Sequence, residues 1–190
     1  EIKNKNLRLL SRFQNRELLP ELQSISKVYD YSDTNEHLKY YLDNASHISK
    51  ANGMEFTYNI EKGLFIRLDM NMLKYVISNL LVNSFMYNKS ENKAAHLEIF
   101  SKGKSIYIEF CDNAGGLSEN IAENTKLPFY DFGNGGEGLG LYLIRQFAGC
   151  LGAELSFLNK DGGLTASIKI ENILIPRMDE LRAPPYIPYP

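Results

Sequence analysis

A glycine-rich segment, Gly136-Glu-Gly-Leu-Gly-Leu141, runs directly into Leu141–Ala148, which has the periodicity of an amphipathic helix. Glycines let backbone N–H groups approach an anion closely, and the first turn of a helix presents unpaired N–H donors at the positive end of its dipole. The segment therefore predicts a phosphate-binding loop. Because glycines also serve ordinary loop-to-helix turns, this prediction depends on two other motifs upstream.

The first of these motifs is an aspartate, Asp112, which is followed by Asn-Ala-Gly-Gly116. It comes directly after a predicted strand, in which the alternating apolar residues are Ile106, Ile108 and Phe110. A carboxylate at this position can accept a hydrogen bond from the exocyclic amine of adenine, which is worth about 1.5–3 kcal/mol. The alternative is an Asx-type turn, in which the carboxylate binds its own backbone.

The second motif is a pair of asparagines, Asn79 and Asn83, in a helix predicted from about Asp69, its N-cap, to Asn88. Residues four apart lie on one helix face, and amide oxygens are hard ligands that suit magnesium held between protein and phosphates. Two solvated asparagines are the alternative, although asparagine is a poor helix former. The predicted apolar side of this helix carries Leu73, Ile77, Leu80, Leu81 and Ser84.

In this order, the motifs resemble the ATP-binding catalytic domain of sensor histidine kinases, in the superfamily of DNA gyrase, the ninety-kilodalton heat-shock chaperones and MutL. The stretch Asn79–Tyr87 resembles the asparagine box of that family, Asp112–Gly116 its first glycine box and Gly136–Leu141 its second. Phe129 or Phe132 is a candidate for its phenylalanine box. The resemblance covers roughly residues 35–171.

The resemblance implies ATP and Mg²⁺ as cofactors and assigns roles residue by residue. Asn83 would ligate the metal, Asp112 would bind the adenine amine, and Tyr87 would pack near the adenine ring. Arg145 matches a position that is often basic in the family, and Lys126 could supply a further cation. The remaining candidate nucleotide-binding residues are Asn79, Gly115, Gly116, Gly136, Gly138, Leu139 and Gly140.

Three features bear on the reaction, of which the first is a difference from the ATP-hydrolysing relatives and the other two are departures from the kinase family. ATP-hydrolysing relatives have a water-activating Glu four residues before the metal-binding Asn, whereas this chain has Asn79, and an amide cannot take a proton at neutral pH. No catalytic residue is therefore assigned, and phosphoryl transfer is favoured over hydrolysis. Kinases of the family commonly have a Lys where this chain has Met86, and only Gly133–Gly135 separates Phe132 from the second glycine box. Both changes reduce the contacts available to the terminal phosphates.

Composition limits the other possibilities. The 190 residues suit one ordinary domain with a full core, since 44% are hydrophobic, and the net charge of −2 gives no reason to expect nucleic acid as a partner. Cys111 and Cys150 do not suggest a disulfide framework, and we expect two buried thiols in a reducing compartment. No cluster of Cys and His, no signal peptide and no membrane-spanning run of about 18 apolar residues is visible.

The pattern of elements predicts an α+β two-layer sandwich, with helices on one face of a mixed, mainly antiparallel sheet. This is the Bergerat-type ATP-binding fold that the resemblance implies. Helices are predicted at about 34–51, 69–88 and 141–151, and strands at 56–60, 64–68, 95–100, 104–111, 153–158 and 164–170. The expected organisation is an N-terminal extension (1–33), which could include the end of a dimerisation helix, the catalytic domain (34–172) and a Pro-rich extended tail (173–190).

The phosphoacceptor is not evident in this chain. The acceptor histidine of the family is followed by an acidic residue, whereas His37, His47 and His96 are followed by Leu38, Ile48 and Leu97. We therefore expect a cytoplasmic fragment of a longer protein. That full-length protein would be a homodimer, with or without a membrane anchor, and this domain would lie on the cytoplasmic side. Its γ-phosphoryl group would pass to a histidine in a dimerisation domain and then to a response regulator. The fragment alone can be monomeric. The alternatives are a degenerate nucleotide-binding module that signals through protein contacts, and a serine kinase of the anti-sigma-factor type.

Overall fold

The computed structural model describes residues 32–66, 68–118 and 140–171, so most of the predicted N-terminal extension and the Pro-rich tail lie outside it. The helices of these ranges are α1 (Thr34–Ala51), α2 (Met70–Tyr87) and α3 (Gly140–Cys150). The strands are β1 (Ser32–Asp33), β2 (Met54–Ile60), β3 (Phe65–Ile66), β4 (Lys93–Lys102), β5 (Ser105–Asp112), β6 (Glu154–Lys160) and β7 (Gly163–Ile170). None of these helices is long and apolar enough to cross a bilayer.

The main sheet has five strands in the order β2-β4-β5-β7-β6. The β2–β4 pair is parallel and the other neighbours are antiparallel, which confirms the prediction of a mixed, mainly antiparallel sheet. Parallel strands need a long crossover connection, and here that connection contains β3 and α2. The strands on either side of Glu61–Gly63 do not pair with each other, because β3 pairs with β1 in a separate two-stranded sheet.

The core lies between one face of the sheet and the helices. Alternate strand residues point toward the helices and are buried, and the other residues form an outer face of the sheet that is partly exposed. The buried strand residues include Phe56, Leu97, Ile99, Ile108, Phe110, Ala166 and Ile168. Those of the helices include Leu38, Leu42, Leu73, Ile77, Leu80, Leu143 and Phe147. This is the two-layer α+β sandwich that the sequence predicted.

The expectation that both cysteines are buried was wrong. Cys111 is only half-buried, because it is out of phase with Ile108 and Phe110 on β5 and therefore points to the outer face. Cys150 is exposed at the C-terminal end of α3. The alternation along β5 already contained the information for Cys111, since the residue follows Phe110 directly.

Helix α2, Met70–Tyr87, begins and ends within one residue of its predicted limits. Its N-cap is Asp69, whose Oδ1 accepts hydrogen bonds from the backbone N–H groups of Asn71 (2.8 Å) and Met72 (3.3 Å). At the other end, the buried C-cap Asn88 donates from Nδ2 to Oδ1 of Asn113 (2.6 Å), in the loop after β5. The C-terminal end of α2 is therefore held beside the end of β5.

Replacing Asp69 by alanine should lower the free energy of unfolding by about 1 kcal/mol, because the N–H groups of Asn71 and Met72 lose their acceptor. Urea denaturation of the 190-residue chain measures this loss. The matched control is Asp69→Asn, which keeps an N-cap acceptor and should lose far less. Equal losses in the two variants would contradict capping as the cause.

Candidate functional site

The first turn of α3 lies against the asparagine face of α2. Gly140 begins α3, and a Cβ atom added to it would lie 3.2 Å from Oδ1 of Asn79 and 3.4 Å from Nδ2 of Asn83. The structure thus brings the last glycine of the Gly136–Leu141 motif to the two asparagines singled out in the sequence. Only a residue without a side chain fits here without displacing one of the two amides.

Asn79 is a buried residue, with 5% of its surface exposed. Its Nδ2 donates a hydrogen bond to the backbone carbonyl of Tyr75 (3.0 Å), and its Oδ1 is directed toward Gly140. Burial raises the pKa of the Tyr75 phenol to about 12 and outweighs the hydrogen bond with Asn79, which acts to lower this pKa. The alternative of two solvated asparagines is therefore wrong for Asn79, whose amide is fixed inside the helix layer.

Asn83 lies one turn further along α2 and is half-buried. Among the described residues, no hydrogen bond engages its side chain, so its amide oxygen is available to a ligand. Tyr87, the last residue of α2, is 42% exposed one further turn along. The face that begins with a buried amide at Asn79 thus ends with an accessible amide and an accessible aromatic ring.

Asp112 is held by three hydrogen bonds at the end of β5. Its Oδ1 accepts from the backbone N–H groups of Ala114 (3.0 Å) and Leu164 (3.0 Å), and its Oδ2 accepts from the Ser84 hydroxyl. The bond to Ala114 is the Asx-type turn considered from the sequence, but the other two bonds connect Asp112 to β7 and α2. A carboxylate offers about four lone-pair positions, so one acceptor position remains.

Ser84 is a residue of the candidate site that the sequence did not reveal. It is 1% exposed and follows Asn83 directly, so α2 positions both the candidate metal ligand and the hydroxyl that orients Asp112. The available signal was a hydroxyl residue on the apolar side of α2, in line with Ile77 and Leu80. Such a residue needs a hydrogen-bond partner, and the partner is the carboxylate of Asp112.

The glycines around Asp112 are required by the backbone. Gly115 and Gly116 have φ values of 94° and 76°, in the left-handed region that favours glycine. Gly163, the first residue of β7, packs so closely that a Cβ atom on it would overlap the carbonyl oxygen of Asp112. A glycine at position 163 therefore admits the backbone of the Asp112 loop.

Several predicted residues cannot be placed in this geometry. Lys126, Gly136, Gly138 and Leu139, together with the two candidates for the phenylalanine box, lie outside the described residues. Arg145 lies half-buried on α3, beyond the turn that contains Gly140. Within the described ranges, no group of three or more His, Cys, Asp or Glu side chains is arranged to hold a metal ion, so a metal here would depend on amide oxygens and on its ligand.

Comparison with known proteins assigns this arrangement to a class. Residues 68–172 match the family described as "Histidine kinase-, DNA gyrase B-, and HSP90-like ATPase". The chain belongs to this family, and the resemblance inferred from the three motifs is confirmed. The matched range contains all of α2, the Asp112 loop and α3, which are the elements that form the candidate site.

Curated relatives and solved structures agree with this assignment. The chain is 24% identical over 169 residues to the sensor histidine kinase GraS of Staphylococcus aureus, which covers 85% of this chain and 48% of that protein. It spans only 12–22% of other sensor proteins that it matches over shorter stretches. The catalytic domain of histidine kinase ThkA has the same fold, with a TM-score of 0.66, 18% identity, and coverage of 76% of this chain and 96% of that one. The structure of full-length ShkA in complex with AMPPNP matches with a TM-score of 0.69 and 17% identity. This match covers 87% of this chain and 36% of that one.

Two glycines of α3 test the contact with the asparagine face. A Cβ atom added at Gly149 would meet nothing within 4 Å. Gly149→Ala should therefore raise the free energy of unfolding by about 0.5–1 kcal/mol, since alanine is the better helix former. Gly140→Ala should fail to gain this amount, because its methyl group displaces Asn79 or Asn83. Urea denaturation of both variants gives the comparison. Equal stabilisation would mean that α3 does not pack on the two amides as described.

Proposed function

We propose that this domain binds Mg-ATP between α2, the first turn of α3 and the Asp112 loop, and transfers the γ-phosphoryl group to a histidine outside this chain. The observation that carries the proposal is the placement of Asn83 and Ser84 side by side on α2. One residue places its side-chain amide beside Gly140, with Nδ2 as the nearer atom, and the next orients the Asp112 carboxylate. The family description names an ATPase, and the similar fold of ShkA is seen with AMPPNP, an ATP analogue.

Asp112 provides the base-recognition end of the proposed site. Ser84, Ala114 and Leu164 occupy three of its acceptor positions and fix the plane of the carboxylate. The remaining position can accept from an exocyclic amine such as that of adenine. Because the carboxylate is already oriented before binding, little further ordering would be needed to form this bond, which is worth about 1.5–3 kcal/mol.

Asn83 and the N-terminal end of α3 provide the phosphate end. Gly140 brings the backbone of the first helical turn close to α2, and the N–H groups of such a turn favour anions. The Asn83 amide oxygen is a suitable hard ligand for magnesium shared with phosphate oxygens. Bound magnesium would neutralise charge on the transferred group. Asn79 donates from Nδ2 to the Tyr75 carbonyl of the same helix, α2. Its amide offers no base for activating water.

The proposed acceptor is a histidine of a dimerisation domain in the same full-length protein, and the next recipient is a response regulator. We further propose that the full-length protein is a homodimer and that this domain works in the cytoplasm. His96 is a poor acceptor, because it lies on the outer face of the sheet, with Nδ1 in a hydrogen bond with the Thr57 hydroxyl (2.8 Å). That face is opposite the helix layer, which carries the candidate site.

Met86 favours one alternative function. It lies on α2 three residues after Asn83, where it adds no charge beside the phosphate end of the proposed site. A domain with a weak phosphate site could bind nucleotide without transferring the γ-phosphoryl group and could signal through protein contacts. This alternative keeps the adenine-binding end of the proposed site and lacks only the transfer.

Two measurements separate these functions. Titration of the chain with a fluorescent ATP analogue, with and without Mg²⁺, should show binding that magnesium strengthens. Incubation with radiolabelled ATP and a separately produced dimerisation domain carrying the acceptor histidine should label that domain in acid-labile form. Binding without transfer would favour the signalling module. Acid-stable label would indicate a serine kinase, and absence of any binding would refute the proposed site.

Substitutions at the two ends of the site should have different effects. Asn83→Asp places a negative charge beside the phosphates and should weaken binding of the analogue more without Mg²⁺ than with it, because the bound metal offsets the added charge. Asp112→Asn replaces an acceptor by an NH₂ donor and should weaken binding about 10–100-fold with or without Mg²⁺. The controls are Asn59→Asp and Glu98→Gln, which make the same chemical changes on the outer face of the sheet. Unchanged affinity in both site variants would refute the assignment.

A further inference from the structure

The β6–β7 hairpin holds the loop after Asp112 at several points. The backbone N–H of Leu164 donates to Asp112 Oδ1 (3.0 Å), and the N–H of Gly115 donates to the carbonyl of Gly162 (2.9 Å). At the far end of the loop, the side chain of Asn159 forms two hydrogen bonds with Leu117. The loop is thus fixed to the hairpin at three residues, which are Asp112, Gly115 and Leu117.

Asn159 binds Leu117 as a neighbouring strand would. Its Oδ1 accepts from the Leu117 N–H (2.8 Å) and its Nδ2 donates to the Leu117 carbonyl (2.7 Å), so the planar amide satisfies both backbone groups. Gly116 packs directly against this amide: a Cβ atom added to Gly116 would lie 2.7 Å from the amide carbon of Asn159. The contact therefore requires both a glycine at 116 and a short amide at 159.

The position of Asn159 in β6 shows that this role is separate from core packing. Leu155 and Phe157 are the half-buried residues of β6 and pack against the core, and Asn159 is the next residue in the same phase. An apolar residue would continue the pattern, but at this point the core ends and the Asp112 loop begins. The amide thus takes the place of a core side chain where the strand passes the candidate site.

We propose that Asn159 is a positioning residue for nucleotide binding, an inference that rests on the proposed function. By holding Leu117, it fixes the backbone of Gly115 and Gly116 and so keeps Ala114, one of the three donors that orient the Asp112 carboxylate, in place. Without it, the Leu117 backbone would lose both of these hydrogen bonds, and this part of the loop would have to be ordered when the nucleotide binds.

Asn159→Ala should raise the Kd for the fluorescent ATP analogue about tenfold, at a temperature where circular dichroism shows the variant to be folded. Asn159→Asp keeps the acceptor for the Leu117 N–H but loses the donor, so its Kd should lie between those of wild type and Asn159→Ala. It also serves if the alanine variant does not fold. The control is Ser156→Ala, an exposed outward residue of the same strand, which should bind like wild type.

A double-mutant cycle distinguishes positioning from general destabilisation. If Asn159 acts through Asp112, Asn159→Ala should cause little further loss of affinity in an Asp112→Asn background. A tenfold loss in both backgrounds, or an unchanged Kd in the folded single variant, would overturn the positioning role while leaving the proposed function intact. Failure of the wild-type chain to bind the analogue would overturn both proposals.

Discussion

The hydrogen bond between the Ser84 hydroxyl and the Asp112 carboxylate is the constraint on which the candidate site depends. It joins the helix layer to the end of β5, at a point where Ser84 is 1% exposed. Burying Ser84 without this partner would be costly, because an unpaired hydroxyl in the interior loses its hydration. Together the two residues fix the distance between the asparagine face of α2 and the loop after β5.

This constraint explains why both candidate binding ends are built around one helix. Asn83 and Ser84 are adjacent in sequence and therefore point about 100° apart on α2, toward α3 and toward β5 respectively. A shift of α2 along its axis would change both ends together. The N-cap at Asp69 and the Asn88–Asn113 bond hold the two ends of the helix, so its register relative to the sheet is fixed from both sides.

The sequence predicted what local chemistry determines. The capping residue Asp69 and the apolar spacing gave α2 almost to the residue, and alternation gave β5 and β7 with their buried faces. It did not predict the parallel β2–β4 pair, because strand pairing across a crossover depends on tertiary packing. The roles of Ser84, Gly163 and Asn159 were missed for the same reason, since each has its partner at least 28 residues away in the chain. Such contacts leave only faint local signs, such as a polar residue in an apolar phase.

The chemistry of α2 also bears on the kind of reaction that the proposed site could perform. Hydrolysis needs a group that accepts a proton from water, and Asn79 is an amide whose Nδ2 is already bound to a carbonyl. Its neighbour Tyr75, with a pKa of about 12, is neutral at physiological pH and holds its own proton. A neutral imidazole, by contrast, is already a nucleophile near pH 7 and needs no base to activate it. A face of α2 with amide side chains at Asn79 and Asn83 and no side chain that accepts a proton near pH 7 therefore suits the proposed transfer to histidine better than transfer to water.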